Sequence, residues 1–461
     1  MIRTIYFLLC LIFLGCSVLE KGPNRVFFAG EIVNPTDRHI VLYKNDKTLD
    51  SVALNEDNMF FFQMNNIDEG LYHFNHSPEL QYVYFEKGDS LVIRLNTLAF
   101  DESLIFTGKG AEINNFLLSM FLKDEEEKPF LETLYILEPE DFGKKIDSLR
   151  NTKYEVLDEL LTQVKLSDKA IEVAKASIDY NLYIAKEKYP FYHKKRTGKG
   201  TLHELNKGFY EYRKQIPYNN TNLTYFRPYY NFMKYHFGNL SYMTCTTNCG
   251  LDSYEVKDKL HYNKHTLELI DSLVVDKDLR DNLFRNVAID YFLKAKEDME
   301  SNQLFIEKFL SLSGNNRHIK EITQLYEGIK NMQPANELPA VGLQDRNHDN
   351  IALAELAQNK NVVFYFWSGT QLGHFDKISK TVHELSAKHP DYAFIGLNWN
   401  TDPAQWNSLL TKHQLDQTLQ YRIIDFNEMA KNLVFDDFNK AIIVKNGRIS
   451  NGFGNLYSSF K

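Results

Sequence analysis

Residues Asn361 to Trp367 read Asn-Val-Val-Phe-Tyr-Phe-Trp, a run that after Asn361 has no polar position on either face. A strand that is apolar on both faces must be covered on both, so this segment predicts the centre of an α/β sheet. Its surroundings agree. Phe375, Ile378, Val382 and Leu385 recur at helical spacing, and Ala393-Phe394-Ile395-Gly396-Leu397-Asn398 reads as a second buried strand. Trp406, Leu409 and Leu410 mark a helix from Pro403 to His413. Ala441-Ile442-Ile443-Val444 and Arg448-Ile449 flank Asn446-Gly447, residues that accept the positive φ of a two-residue hairpin turn. The expected order is strand, helix, strand, helix, strand, strand. Gln333-Pro334-Ala335-Asn336-Glu337-Leu338-Pro339 is a linker by composition, which assigns residues 333–461 to this α/β part.

At 461 residues the chain exceeds one ordinary core, and its periodicity changes twice. Between residues 25 and 110, β-branched and aromatic runs alternate with turn formers. The runs are Val26-Phe27-Phe28, His39 to Tyr43, Met59 to Phe62 and Tyr82 to Phe85. The turns are Asn34-Pro35, Lys44-Asn45-Asp46, Asp57-Asn58 and Lys87-Gly88-Asp89. This predicts an antiparallel β-sandwich. Gly88-Asp89-Ser90-Leu91 carries the letters of an esterase block, but Leu91, Ile93 and Leu95 continue at period two, so a hairpin turn is expected. Residues 111–332 are helical by spacing: Ile146, Leu149, Leu157, Leu160, Leu161 and Val164 mark one helix. Ile171, Ala174, Ile178 and Leu182 mark another, opened by Ser167 and closed before Pro190. A third is capped by Asp276, and the pattern ends at Gly314. The fold class is therefore a multidomain α+β chain: sandwich, helical middle segment, α/β domain. A net charge of -8 without clustered Lys and Arg gives no nucleic-acid surface. Tyr225-Phe226-Arg227-Pro228-Tyr229-Tyr230 is expected to pack rather than to form a ligand platform.

Residues 1–16 carry a targeting signal. Arg3 is followed by an apolar run from Ile5 to Leu14, too short for a bilayer span, closed by Leu14-Gly15-Cys16. This resembles a bacterial lipobox, with Phe13 where Leu is commonest. The resemblance implies that Cys16 is acylated and becomes the first mature residue; the other reading is an ordinary cleaved signal. With Cys10 removed, the mature thiols are Cys245 and Cys249 in a turn-rich CxxxC segment. In an oxidising envelope a structural disulfide between them is the first expectation, an inert thiol pair the second.

The C-terminal quarter resembles the membrane-anchored thioredoxin-like thiol-disulfide oxidoreductases of bacterial envelopes. The matching residues are Leu338-Pro339 with the hairpin from Asp345 to Asn350, the strand ending Phe366-Trp367-Ser368, and Ile442 to Ile449. The resemblance implies a thioredoxin-like domain, and a sandwich and helical segment before it suit that family. It also exposes a departure. Counted from Phe366-Trp367, the two family cysteines fall on Gln371 and His374, and no cysteine occurs after Cys249. The family proline before the penultimate strand is missing from Asp436-Asp437-Phe438-Asn439-Lys440.

The expected function is therefore a lipid-anchored envelope protein, on the outer membrane or facing the periplasm, whose redox-inactive thioredoxin-like domain is a binding or structural module. No catalytic residue, cofactor or metal is expected. The expected partners are the membrane, through the lipid, and an envelope protein. One alternative keeps a thiol-disulfide role through Cys245 and Cys249 or a partner's thiols. A second has Thr370, Gln371 and His374 bind a small anion at the vacant helix N-terminus. Asp436-Asp437 is read as a solvated pair.

Overall fold

A computed structural model describes residues 24–198, 205, 208–244, 251–252, 255–295 and 297–460. Cys16, Cys245 and Cys249 lie outside these described residues. The chain divides into two compact units, one ending at His236 and one beginning at Phe237.

The first unit opens with eight strands: β1 (Arg25–Val33), β2 (His39–Lys44), β3 (Lys47–Ala53), β4 (Met59–Asn65), β5 (Gly70–His76), β6 (Glu79–Phe85), β7 (Ser90–Asn96) and β8 (Ile105–Lys109). They form two four-stranded sheets, ordered β4-β1-β7-β8 and β3-β2-β5-β6. Alternate side chains of both sheets enter one core, at whose centre the Phe28 ring meets Phe60, Phe62, Phe74 and Phe85 at centroid distances of 5.2, 6.1, 5.5 and 5.4 Å. The turn chemistry is as the sequence requires: Asn34, Asn45, Asn58 and Gly88 all adopt positive φ.

Two expectations need correction. The sandwich is not wholly antiparallel, because β1 and β7 pair in parallel. Five strands intervene between them, so no hairpin dictates their relative direction. The turn at Gly88 is also not a hairpin: β6 and β7 lie in different sheets, and the turn is the corner between them. Asp89 builds that corner. Its Oδ2 accepts from the Glu86 amide at 2.7 Å, and the side chain is buried against Gly110, where an added Cβ would come within 2.6 Å of Oδ2.

The sandwich leads into helices α1 (Ala111–Leu134), α2 (Pro139–Gln163) and α3 (Asp168–Thr197). Ser167 caps α3 by accepting from Ala170 N at 3.1 Å. Contrary to expectation, α3 runs through Pro190 to Thr197. The proline forfeits one backbone hydrogen bond, and burial of its neighbours offsets the loss. Tyr189 donates its hydroxyl to Leu137 O at 2.7 Å, and His193 Nδ1 lies 2.9 Å from Tyr135 O. Helix α4 (Arg227–Thr244) crosses from one unit into the next.

The second unit contains α5 (Lys259–Leu273), α6 (Lys277–Asp290), α7 (Met299–Ser313) and α8 (Ile319–Asn331). Asp276 caps α6 as expected, accepting from Leu279 N at 2.8 Å, and Gly314 ends α7 at a φ of 55°. Then come β9 (Gly342–Gln344), β10 (Asn350–Ala352), β11 (Val362–Trp367), α9 (Leu372–Lys388), β12 (Ala393–Asn398), α10 (Pro403–Lys412), β13 (Gln420–Ile423), α11 (Phe426–Asn432), β14 (Lys440–Lys445) and β15 (Arg448–Asn455). They form one mixed sheet in the order β10-β9-β13-β12-β11-β14-β15. Strand β11 is central and wholly buried, parallel to β12 and antiparallel to β14. Helices α9 and α10 cover one face through Phe375, Ile378, Trp406 and Leu409. The hairpin turn places Asn446 and Gly447 at φ 50° and 80°. The β13–α11 pair was not expected; Gln-Tyr-Arg-Ile is too short and too polar to announce a strand.

Burial pushes the Asp89 carboxyl up to about 6, from an ordinary 3.8. The folded chain therefore holds that proton where the unfolded chain has released it. The resulting stability is full below pH 3.8 and is lost as pH rises through 6. Asp89→Asn keeps an acceptor for the Glu86 amide without the charge. Its stability relative to the parent should rise between about pH 4 and pH 7, as urea denaturation at each pH would show; a difference constant with pH would refute this origin.

Candidate functional site

The end of β11 leads into Thr370, Gln371 and His374, the residues singled out in the sequence. Trp367 closes the strand with its indole Nε1 donating to Gln420 Oε1 at 3.2 Å, and its ring stacks on Phe375 of α9 at 4.3 Å. The chain then turns through Ser368, Gly369 and Thr370. Ser368 Oγ lies 2.8 Å from Thr370 Oγ1 and accepts from the Thr370 amide at 3.3 Å, an ST-type turn. Gly369 donates its amide to Thr401 Oγ1 at 2.7 Å, and Gln405 Nε2 donates to Gly369 O at 3.2 Å. A Cβ on Gly369 would fall 2.5 Å from Thr401 Cγ2, so only glycine lets this loop sit against the β12–α10 connection. Thr401 is itself fixed by Asn398 Nδ2 at 2.8 Å. The start of α9 is thus set by hydroxyls, amides and close packing.

Gln371 is the N-cap of α9, exposed and making no side-chain cap hydrogen bond. Leu372 and Gly373 are also exposed. His374 is half-buried. Its Nε2 lies 3.3 Å from Asn439 Oδ1, its ring meets Phe438 edge-on at 5.6 Å, and its buried Nδ1 has no hydrogen-bond partner. Asn439 is held by Asp437, whose carboxylate accepts from the Asn439 amide at 3.0 Å and from its Nδ2 at 2.8 Å. The fold therefore brings together two segments that the sequence singled out separately, the 371–374 helix start and the 436–440 loop. Thr370 is exposed and turned into its own loop through Ser368. Lys440, next in the chain, is buried with Nζ 4.7 Å from the Phe453 ring centre, and burial lowers its amine to about 8.

A second polar centre lies in the first unit, and sequence reasoning missed it. Glu187 of α3 is wholly buried. Its carboxylate accepts from Arg213, from His236 Nδ1 at 2.8 Å and from the Tyr212 hydroxyl at 2.9 Å. Tyr218 lies 2.8 Å from His236 Nε2. Burial opposes ionisation of Glu187, but the hydrogen bond and charge of His236, with the charge of Arg213, hold its carboxyl below the usual range. The signal was hidden because Glu187 stands between Lys186 and Lys188, a pattern that reads as a solvated helix face. Beside it, α3 and residues 212–223 line a cavity of about 390 Å³ that Tyr180, Tyr183 and Tyr212 border. The aromatic stretch at 225–230 packs as expected: Phe226 meets Tyr82 edge-on at 5.6 Å, and Tyr229 is buried.

No family model matches the chain, and no curated protein matches it. Solved structures do. The thioredoxin domain of a thiol-disulfide oxidoreductase from Bacteroides vulgatus matches at 17% identity, covering 26% of this chain and 86% of its own, with a TM-score of 0.22. A thiol-disulfide oxidoreductase from Bacteroides fragilis matches at 18% identity, over 25% of this chain and 88% of its own, with a TM-score of 0.21. A secreted disulfide oxidoreductase from Mycobacterium tuberculosis matches at 17% identity, over 26% and 83%, with a TM-score of 0.21. Among the described residues no group of three or more His, Cys, Asp or Glu is placed to hold a metal ion.

Removing one member of a buried charge cluster leaves the rest uncompensated, at a typical cost of about 3–5 kcal/mol. Glu187→Leu should therefore destabilise the protein by that order, measured by urea denaturation. A loss under about 1 kcal/mol would show that the cluster contributes little.

Proposed function

We propose that this chain is a lipid-anchored cell-envelope protein whose C-terminal α/β unit is a thioredoxin-like scaffold without thiol chemistry, serving as a binding or structural module. One observation carries the reading: the start of α9 presents Gln371 and His374, not cysteines, beneath the loop before β14. Disulfide exchange requires thiolate attack and a mixed disulfide. Glutamine and histidine can hydrogen-bond a partner but cannot form that intermediate. His374 is already engaged, through Asn439 and Phe438, in joining α9 to the loop before β14. The scaffold supports itself there with polar contacts that a redox site leaves free.

The purified protein should reduce insulin no faster than its Cys245→Ser/Cys249→Ser variant, followed by turbidity with dithiothreitol as reductant. Turnover that persists in the double variant contradicts the inactive-scaffold reading. Turnover that vanishes only in that variant would move the redox role to Cys245 and Cys249. Gln371→Cys/His374→Cys should add weak reductase activity to the parent background.

The anchor belongs to the same reading. Among the described residues no helix is long and apolar enough to cross a membrane, and the lipobox-like Leu14-Gly15-Cys16 supplies the attachment. Each buried acyl methylene contributes about 0.8 kcal/mol, so two or three chains bind stably. Cys16→Ser should leave uncleaved precursor or release the protein on detergent partitioning. Unchanged membrane association of a processed Ser variant would overturn the anchor.

A further inference from the structure

The outer face of the sheet β4-β1-β7-β8 carries several large exposed apolar side chains among its polar ones, where an exposed sheet face is ordinarily polar. Register fixes the rows. Phe61, Ala29 and Val92 lie side by side across β4, β1 and β7, and Thr107 of β8 continues the row. The next row is Met59, Glu31, Arg94 and Ile105. One row back, Phe27 stacks on Phe61 with centroids 5.9 Å apart. Phe61, Met59, Val92 and Ile105 are 50, 45, 45 and 58% exposed. Glu31 and Arg94, the charged pair in these two rows, neutralise each other at 3.1 Å. A contiguous patch of this kind marks a surface that meets another body, whereas scattered apolar residues do not.

Two features select that body. Strand β1 begins nine residues after Cys16, and an extended chain of that length spans about 30 Å. A lipid on Cys16 therefore confines this sheet, about 25 Å long at the usual rise per residue, to the neighbourhood of the bilayer. Two exposed lysines stand at one end of the sheet, with Glu69 and Glu112 close by. Exposed Lys109 pairs in register with Ser90 and donates its Nζ to Gly88 O at 3.1 Å, next to exposed Lys87. Gly88 in turn donates its amide to Arg25 O at 3.1 Å, so these lysines stand at the end of the sheet where the tether enters. Basic side chains close to a membrane are drawn to anionic headgroups.

We propose that the outer face of this sheet, Phe61, Met59, Val92 and Ile105 foremost, lies on the anionic headgroup surface of the bilayer that holds the Cys16 lipid; this rests on the lipid-anchor reading. The lipid supplies the attachment, and the face fixes which side of the protein the membrane covers. Apolar side chains enter the interface, the Glu31–Arg94 pair crosses it without net charge, and the lysines meet phosphate at one end.

The test uses the acylated full-length chain on vesicles of phosphatidylethanolamine and phosphatidylglycerol. Phe61→Cys and Ile105→Cys, both at exposed positions, each carry an environment-sensitive fluorophore. Leu49→Cys, 51% exposed on edge strand β3 of the other sheet, is the control. The probes at 61 and 105 should shift to the blue on vesicle addition and be quenched severalfold more by brominated lipid than the probe at 49. Protein that floats with the vesicles while all three probes stay equally aqueous overturns this docking and leaves the anchor standing. Protein that does not float overturns both. A blue shift that needs no vesicles and grows with protein concentration assigns the face to a second copy, and also overturns the proposal.

Discussion

The burial of β11 on both faces is the constraint on which the C-terminal unit depends. Its six side chains are all removed from water, and fully burying an aliphatic or aromatic side chain contributes about 1.5–3 kcal/mol. That gain requires cover on both sides and a paired strand on each edge. Strand β12 supplies one edge and β14 the other, while α9 and α10 close one face through Phe375 and Trp406. Once β11 is placed, the next segment of chain has little freedom left. It must leave the sheet at Trp367, turn within Ser368 to Thr370, and start α9 beside the β12–α10 connection. The location of the site is thus a consequence of core packing, independent of which side chains occupy it.

Buried polar groups are treated differently in the two units. In the sheet, Gln420 of β13 serves two donors of β11 across the intervening β12, Trp367 Nε1 at 3.2 Å and Tyr365 OH at 3.3 Å, using a neutral amide. In the helical part of the first unit the solution is ionic. Glu187 is balanced by Arg213 and His236, and Lys153 of α2 is held by Asp124 of α1 at 2.6 Å. Asp124 is pushed up to about 6, because burial outweighs the pull of Lys153. Ion pairs this deep cost desolvation that their attraction only partly offsets. Their directional partners do, however, tie the 212–223 segment to α3 and α2 to α1, where long amphipathic helices offer few fixed registers.

Legibility in the sequence depends on the range of the interaction. Asn34, Asn45, Asn58 and Gly88 were readable as turns because positive φ is a local demand met by few residue types. The caps Ser167 and Asp276 were readable because a side chain three residues upstream satisfies a helix amide. The parallel pairing of β1 with β7 was not, since it depends on where five intervening strands return the chain. Pro190 misled for a related reason: the local rule against a mid-helix proline was overruled by tertiary burial of Tyr189 and His193. At the candidate site, Gln371 and His374 were visible residue by residue. The contact of His374 with Asn439 was not, because 65 residues separate them and only the sheet order brings them together.

That contact joins the start of α9 to the loop before β14. The backbone there is held by Gly369 against Thr401 and by Ser368 within its own turn, interactions that owe nothing to the side chains at 371 and 374. His374 reaches the loop before β14, where it meets Asn439, itself oriented by Asp437. Gln371 keeps its side chain in solvent beside exposed Leu372, so this surface is accessible. The course of the chain into α9 is therefore set by Ser368, Gly369 and Thr401, whichever side chains stand at 371 and 374.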